Sequence, residues 1–402
     1  MQPFDRMESE HLVIEGFLGF RETQVEVLPF TSLIGPQASG KSVIAKLVFF
    51  FRNYIRNLYL RGLTESGGRR AFNKEQHKKF EILFPEAWEK GTQFKILYQC
   101  ERTEIDIEKK RNSSSIKIKL GAKEAQIFNT TRNEYRQWVK SQDHDERRYF
   151  LRDTFHFFRS TGRENDLWMV FPSVLLVPAK RSFFSSIQKN IFSFLAEENR
   201  IDPTIAQFGR FFERAKDRFG DGLYAAPRTK RDRAQRDRDI AKILHGSFCR
   251  EKDEDYIKTT WGGKVPLSSA SSGQQEALPM LLAAALYPVK DRLNDLLIIE
   301  EPEAHLYPAA QRDALRLIVE NCVAGESKLL ITTHSPYILT CMNNEIHRPR
   351  QPGIKPLVAA YYIAEGTAKS VFDEELQIID IEQIDKVSFE IANEFSEIYN
   401  DE

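Results

Sequence analysis

The sequence predicts an α/β protein with a central, mainly parallel sheet flanked by helices, an antiparallel β lobe and a helical insertion. Residues 296–299 and 329–331 are continuous apolar runs between helix-compatible segments, a pattern typical of strands covered on both faces. Between residues 92 and 128, apolar and polar residues alternate with a period of two, which indicates antiparallel strands with one solvated face. Residues 182–248 have a mainly helical pattern.

Composition limits the classes of protein that this chain can be. Its 402 residues are 41% hydrophobic, enough for a substantial core, and its apolar runs are shorter than the roughly 20 residues of a membrane span. The N-terminus lacks the order of a secretion signal, and the four cysteines are scattered, so we expect a cytoplasmic protein with reduced thiols and no membrane partner. Lys plus Arg equals Asp plus Glu at 58 each, so DNA binding would require a local basic patch.

A phosphate-binding loop is predicted near the N-terminus. It fits G-x-x-x-x-G-K-[ST], follows the apolar run 30–34 and precedes the helix-compatible segment 43–59. The glycines allow backbone N–H groups to converge on phosphate oxygens at a helix N-terminus. Lys41 would reach the β- and γ-phosphates and Ser42 would bind Mg²⁺, so ATP and Mg²⁺ are the predicted cofactors. The predicted ATP-binding residues are Gly35, Pro36, Gln37, Ala38, Ser39, Gly40, Lys41 and Ser42.

Two adjacent carboxylates follow the apolar run 296–299. Glu300 and Glu301 lie at a predicted strand end, where open α/β sheets bind ligands. Because neighbouring side chains on a strand point in opposite directions, the two acids cannot share one role unless the strand ends there. We therefore expect Glu300 to act through the water shell of Mg²⁺ and Glu301 to polarise the attacking water. These assignments predict an ATPase.

Five motifs in a fixed order resemble ABC-type ATPases, in the branch that includes RecF, SMC and OLD-like proteins. Besides the phosphate loop they are Val177-Pro-Ala-Lys-Arg181, the segment 268–275, the segment 300–308 and Ile331-Thr-Thr-His334. The resemblance covers nearly the whole chain. It departs from the family at Glu300, where an aspartate is usual, so the geometry of Mg²⁺ binding differs by one methylene.

The resemblance implies an active site shared between subunits. The signature loop of one subunit would contact the γ-phosphate held by another, through the residues Ser271, Ser272, Gly273 and Gln274. His334 would contact the γ-phosphate and sense its loss, residues 303–305 would cross the dimer axis, and Arg181 is a further candidate site residue. A homo-oligomer, at least a dimer, with slow turnover is therefore expected. The glutamine loop is either at Gln99 or at Gln188.

The predicted domains follow from these motifs. Residues 1–181 would form an ATPase lobe with the phosphate loop and the antiparallel strands, and residues 182–262 a helical insertion. Residues 263–370 would form the lobe with the signature, the carboxylates and the switch histidine, and residues 371–402 an acidic C-terminal helix.

The effector is expected to be a separate protein. Ala364-Glu365-Gly366 superficially resembles the start of a Toprim nuclease domain, but the 36 residues after Gly366 are too few for that fold. This architecture resembles the ATPase subunits of two-component antiphage systems, such as AriA of PARIS or PtuA of Septu, whose partner is a nuclease. A helical stripe near the C-terminus either docks a partner or packs on the chain's own core; its residues are Ile384, Val387, Ile391, Phe395 and Ile398.

Two alternative functions remain open at this stage. The first is a DNA-repair or chromosome-maintenance ATPase of RecF or SMC type that clamps DNA, for which the segment 228–238, with six cations and two acids, is the candidate surface. The spacing of Asp232 and Arg236 also fits an ordinary ion pair on a solvated helix face. The second alternative, a transporter ATPase subunit, has no sequence feature that indicates a membrane partner.

Overall fold

A computed structural model describes residues 10–60, 63, 68–89, 91–100, 103–141, 157–158, 173–186, 201–220, 230–251, 254–287, 295–324, 326–349, 357–380, 390–391, 393–396 and 398. The strands are β1 (Glu10–Glu15), β2 (Glu22–Val27), β3 (Phe30–Ile34), β4 (Phe94–Cys100), β5 (Thr103–Lys109), β6 (Lys117–Leu120), β7 (Val174–Val177), β8 (Gly246–Glu251), β9 (Glu254–Thr259), β10 (Lys264–Pro266), β11 (Leu296–Glu300), β12 (Lys328–Thr333), β13 (Val358–Ala364), β14 (Thr367–Ser370), β15 (Phe372–Asp373) and β16 (Ile378–Ile379). The helices are α1 (Lys41–Leu60), α2 (Gly68–Leu83), α3 (Ala122–Ser141), α4 (Ser182–Ser186), α5 (Pro203–Gly220), α6 (Lys230–Leu244), α7 (Ser272–Leu286), α8 (Pro308–Ala324) and α9 (Pro336–His347).

The central sheet confirms the predicted fold class. Its strand order is β14-β13-β3-β12-β11-β7, and every pairing is parallel except that of the edge strand β14 with β13. Every residue of β3, β7, β11 and β12 is buried, as the continuous apolar runs predict. Their carboxyl ends therefore meet at one edge of the sheet, where the phosphate loop and the acidic strand end both lie.

Hydrophobic cores cover both faces of this sheet. Leu297 and Ile299 on β11 pack into the core formed with α5, α7, α8 and α9. Leu296 and Ile298, on the same strand, pack into the core formed with α1, α2 and the antiparallel strands. One strand thus supplies both cores through the alternation of its side chains, which explains why the run has no polar position until Glu300.

The antiparallel sheet has the order β2-β1-β4-β5-β6. Alternation in β5 buries Ile105 and Ile107 while Glu104 stays exposed, as predicted. Strand β1 pairs with both β2 and β4, so the two strands that precede the phosphate loop belong to this lobe. Residues 122–128, assigned to the alternating segment, instead begin helix α3.

Within the predicted helical insertion, residues 182–262, the described residues form α4, α5 and α6, but residues 246–251 and 254–259 form the antiparallel pair β8 and β9 and correct the prediction there. The predicted C-terminal helix is wrong for residues 371–380, which include the hairpin of β15 and β16. Described residues from 390 to 398 are helical, and Ile391, Phe395 and Ile398 are each more than 60% exposed. These three side chains do not pack in the core; Ile384 and Val387 lie outside the described residues. Among the described helices, none combines the length and the apolarity needed to cross a membrane.

Candidate nucleotide site

The phosphate loop lies between the central strand β3 and helix α1, as the motif predicts. Gly35 has φ +148° and Gly40 has φ +101°, in the region that favours glycine. A Cβ atom on Gly35 would lie 2.2 Å from the carbonyl oxygen of Ile363, and one on Gly40 would lie 2.5 Å from the ring of Phe20. Both glycines are therefore required by backbone angle and by space.

Lys41 lies inside the loop that precedes it. Its ammonium group donates hydrogen bonds to the carbonyl oxygens of Gly35 and Pro36, each at 2.7 Å. Burial lowers the pKa of Lys41, and the carboxylates of Glu301 and Glu303 oppose that shift. The lysine is thus a buried cation at the first residue of α1, where the helix dipole also favours an anionic ligand.

A cleft of about 440 Å³ opens over the loop. It is lined by residues 18–20, residues 37–43, Glu301 and residues 365–366. The turn between β13 and β14 is held against the β1–β2 loop, because the carbonyl oxygen of Gly366 accepts hydrogen bonds from Arg21 N (3.1 Å) and Thr23 Oγ1 (3.0 Å). Lys41 and Glu301, which the sequence predicts to act together, face this one cleft.

The two adjacent glutamates differ in environment. Glu300 ends β11 with 6% exposure, its carboxylate accepts a hydrogen bond from Ser42, and its Oε1 atom has no partner. Burial raises the pKa of Glu300, and the Ser42 hydrogen bond only partly opposes this. Glu301 has φ +46°, and its N–H donates to the carbonyl oxygen of Thr332 at 2.9 Å. The strand therefore ends between the two acids, and the chain turn brings Glu301 to the cleft.

These residues fit a Mg²⁺ ion that binds together with nucleotide phosphates. Glu300 has an unpartnered carboxylate oxygen beside the hydroxyl of Ser42, and Ser39 Oγ is also buried without a partner. Within the described part of the chain, no group of three or more His, Cys, Asp or Glu residues could hold a metal ion by itself. Mg²⁺ commonly takes only one or two protein ligands and completes its shell with water and phosphate oxygens.

Glu303 connects the acidic turn to the strand end that includes His334. Its Oε1 atom accepts hydrogen bonds from Thr333 Oγ1 at 2.8 Å and from His334 N at 3.0 Å, and it lies 3.8 Å from His334 Nδ1. Its Oε2 atom is buried without a partner, whereas the His334 side chain is 37% exposed. The sequence placed Glu303 only in a loop at the dimer axis. The one signal for its role was its position three residues after Glu300.

The predicted signature loop forms the N-terminal cap of α7. Ser271 accepts a hydrogen bond from Gln274 N, and the Gln274 side chain accepts one from Ser271 N, which together form a capping box. Ser271 and Ser272 are exposed, and a Cβ atom on Gly273 would lie 2.9 Å from the carbonyl oxygen of His305. None of residues 271–274 is among the described residues that line the cleft. The predicted signature loop therefore does not line the cleft of its own chain.

Three other candidates lie away from the cleft. Arg181 is fully buried, and its guanidinium group donates to the backbone carbonyl oxygens of Glu300 (2.7 Å) and Glu301 (3.1 Å). Gln99 is on the exposed face of β4, where its side chain donates to Glu104; Gln188 lies outside the described residues. The predicted basic surface at 228–238 is wrong at Arg236, which is only 4% exposed. Its guanidinium group donates to the carbonyl oxygen of Ala285 at 3.0 Å.

A phosphate loop between a central parallel strand and a helix, with an acidic strand end beside it, defines the class of phosphate-loop nucleotide-binding proteins. Residues 30–340 match the family described as "AAA domain, putative AbiEii toxin, Type IV TA system". This match spans more than half of the chain, and the chain belongs to that family.

Several solved structures have a similar chain path. The SMC head domain from Thermotoga maritima is 16% identical, with 92% of this chain and 100% of that chain covered and a TM-score of 0.39. An Smc head domain with an extended coiled coil, bound to the C-terminal domain of ScpA derived from Pyrococcus furiosus, is 14% identical, with 96% and 99% covered and a TM-score of 0.38. The dimeric post-hydrolysis structure of the ATP-binding cassette MJ0796 with ADP and Pi is 10% identical, with 89% and 96% covered and a TM-score of 0.34. No curated protein matches significantly.

Proposed function

We propose that the protein is a Mg²⁺-dependent ATPase switch of an antiphage defence complex, in which subunits share their ATP sites and control a separate effector. The main support is the cleft in which Lys41 and Glu301 meet, together with a capped serine turn at Ser271 that lies outside it. The cleft supplies phosphate binding and a base, and the exposed turn supplies a surface for a second nucleotide.

Each residue of the cleft has a proposed chemical role. Backbone N–H groups at the start of α1 and the Lys41 ammonium group bind the phosphates and neutralise their charge. Glu301 accepts the proton of the attacking water as that water approaches the γ-phosphate. Ser42 and Glu300 are the residues that would hold Mg²⁺, which when bound would neutralise negative charge on the phosphates. His334, held by Glu303, is the proposed sensor of the γ-phosphate.

The shared site follows from the position of the signature turn. Residues Ser271 and Ser272 are exposed at the N-terminus of α7, where backbone N–H groups and the helix dipole favour an anion. Because residues 271–274 do not line the cleft of their own chain, a second subunit is the proposed source of the phosphate that they contact. Hydrolysis then requires two subunits to meet in register, which makes slow turnover the expected behaviour.

The proposed defence role has its own lines of support. It rests on the motif resemblance to ATPase subunits of antiphage systems and on the family's description as a toxin-system component. The proposed effector is a nuclease or toxin-like protein. The competing function, a DNA clamp of RecF or SMC type, loses part of its candidate surface because Arg236 is buried.

Hydrolysis and assembly test the ATPase proposal together. Glu301→Gln should lower kcat by about 10²- to 10⁴-fold, because it removes the general base while leaving the phosphate loop intact. ATP should then hold this variant as a long-lived dimer, measured by light scattering after gel filtration. Lys41→Ala is the matched control and should neither bind ATP tightly nor dimerise. Fast turnover by Glu301→Gln would refute the base assignment.

An affinity capture tests the effector proposal. Tagged Glu301→Gln and Lys41→Ala would be purified from the native host with nuclease treatment and compared by mass spectrometry. A stoichiometric nuclease or toxin-like protein retained by one variant and not the other would support the defence switch. Recovery of repair or chromosome proteins in its place would favour the DNA clamp.

A further inference from the structure

Arg181 contacts the second turn of α7, the helix whose N-terminus is capped by the predicted signature loop. It follows β7 in a turn before α4 and has no exposed surface. Its Nε atom donates to the carbonyl oxygen of Glu276 at 2.9 Å, and its backbone N–H donates to Glu276 Oε2, also at 2.9 Å. The other carboxylate oxygen, Glu276 Oε1, accepts from Ser182 N at 3.0 Å. The start of α7 is thus fixed to the 181–182 turn through both oxygens of one buried carboxylate.

The other side of the same guanidinium group contacts the acidic strand end. One terminal nitrogen donates to the carbonyl oxygens of Glu300 (2.7 Å) and Pro178 (3.2 Å), and the other donates to that of Glu301 (3.1 Å). Glu301 has φ +46°, so this carbonyl contact holds a strained backbone conformation. A planar guanidinium fork can make these contacts at once, which a lysine ammonium group cannot.

The helix that Arg181 contacts is rigidly packed. Every residue of α7 from Glu276 to Leu286 is buried, and Ser185 Oγ adds a hydrogen bond to the carbonyl oxygen of Gln275 at 2.9 Å. Ser271 and Ser272, which form the capped turn at its N-terminus, are exposed. Closely packed elements shift as units. A displacement of the exposed turn is therefore passed to Glu276 and Arg181 rather than absorbed within the helix.

We infer that Arg181 is a positioning residue that couples the signature turn of a chain to the carboxylates Glu300 and Glu301 of the same chain. Contact of the turn with a phosphate held by another subunit would set the backbone position of both acids. Each subunit would then hydrolyse its own ATP only when its signature turn is engaged. This inference rests on the proposed function, because it requires ATP hydrolysis and a shared site.

A double-mutant cycle on kcat tests this coupling. Arg181→Lys keeps the buried charge but loses the fork, and Ser271→Ala removes the cap of the turn. Each single change should lower kcat by about tenfold to a hundredfold, the order expected when a catalytic group is misplaced by about 1 Å. If Arg181 transmits the state of the turn, the double variant should be no slower than the slower single variant. ATP affinity should change less than threefold in Arg181→Lys, since Arg181 does not line the cleft.

Arg52 supplies a matched control. It too is a fully buried arginine paired with a buried glutamate, Glu10, but it lies on α1 away from the acidic strand end. Arg52→Lys should lower the melting temperature. In the double variant of Arg52→Lys and Ser271→Ala, the fold reduction in kcat should equal the product of the two single reductions. If Arg181→Lys does not fold, Glu276→Gln replaces it in the cycle, because it weakens the same contact with little change in volume.

The outcomes separate the coupling from the proposed function. Effects of Arg181→Lys and Ser271→Ala on kcat that multiply, as for Arg52→Lys, would show that Arg181 is only structural and overturn the coupling, while leaving the ATPase intact. A wild-type protein that binds ATP without hydrolysing it would overturn the proposed function itself, and the coupling with it. A non-multiplying cycle with retained ATP affinity is the expected result.

Discussion

Two buried glutamates, Glu10 and Glu300, lie at opposite ends of the parallel strands. The carboxylate of Glu10 has a hydrogen-bond donor at each oxygen, whereas that of Glu300 has one oxygen without a partner. The Glu10 carboxylate accepts from Lys328 at the start of β12 (2.8 Å), from Arg52 and from the hydroxyl of Tyr98. Glu300, at the end of β11, accepts from Ser42 and keeps Oε1 unpartnered. A buried carboxylate saturated by cations stabilises the fold, whereas an unsaturated one is available for a ligand.

The pKa values of the two acids differ in the same sense. Burial would raise the pKa of Glu10, but the charges of Arg52 and Lys328 outweigh it and hold the pKa well below its usual range. Burial does raise the pKa of Glu300, since Ser42 and Lys46 compensate only in part. Ionised Glu10 therefore stabilises the folded state, and ionised Glu300 destabilises it until a cation arrives.

The largest expected effect is the loss of stability when Glu10 is substituted. Glu10→Gln should lower the free energy of unfolding by about 3–5 kcal/mol, because it leaves Arg52 and Lys328 buried without their counter-charge. Urea denaturation at pH 7 measures it. Glu104→Gln, on the exposed face of β5, is the control and should change stability by less than about 0.5 kcal/mol. A loss below about 1 kcal/mol in Glu10→Gln would mean that the cluster is not the buried ion network described above.

A smaller effect of opposite sign is expected at the other end of the sheet. Glu300→Gln should raise the free energy of unfolding of the nucleotide-free protein by about 1 kcal/mol, because it neutralises a buried charge that lacks a full set of partners. It should also reduce the added stability that ATP and Mg²⁺ give the wild type, measured as a shift in melting temperature. If Glu300→Gln destabilises the nucleotide-free protein, the ionised carboxylate of Glu300 does not cost the fold stability, and the prediction is wrong.

The smallest effect is the pH dependence of these two differences. The stability gained by Glu300→Gln over the wild type should shrink as pH falls through the raised pKa of Glu300. The folded wild type takes up a proton there before the unfolded chain does, so its own free energy of unfolding rises. The stability lost in Glu10→Gln should stay constant from pH 8 down to the ordinary glutamate pKa of 4.5 and should shrink only below that pH. Denaturation series from pH 8 to pH 4 would reveal this, and parallel pH profiles for both variants would contradict it.

Sequence was sufficient where the determinants are local. The phosphate loop, the strand end at Glu300 and the parallel strands each follow from contiguous residues with one dominant pattern. The Glu10 cluster could not be predicted, because its partners lie 42 residues away at Arg52 and 318 residues away at Lys328. Arg181 could be identified as a candidate from its motif, but its burial and carbonyl contacts depend on how β7, β11 and α7 pack.

The turn at Glu365 and Gly366 has a consequence for synthesis of the protein. This turn lines the cleft whose other walls include residues 18–20 and 37–43, and Gly35 packs against the carbonyl oxygen of Ile363. A ribosome translates that wall more than 300 residues after the phosphate loop. A nascent chain therefore lacks a complete nucleotide cleft until β13 and β14 have left the exit tunnel.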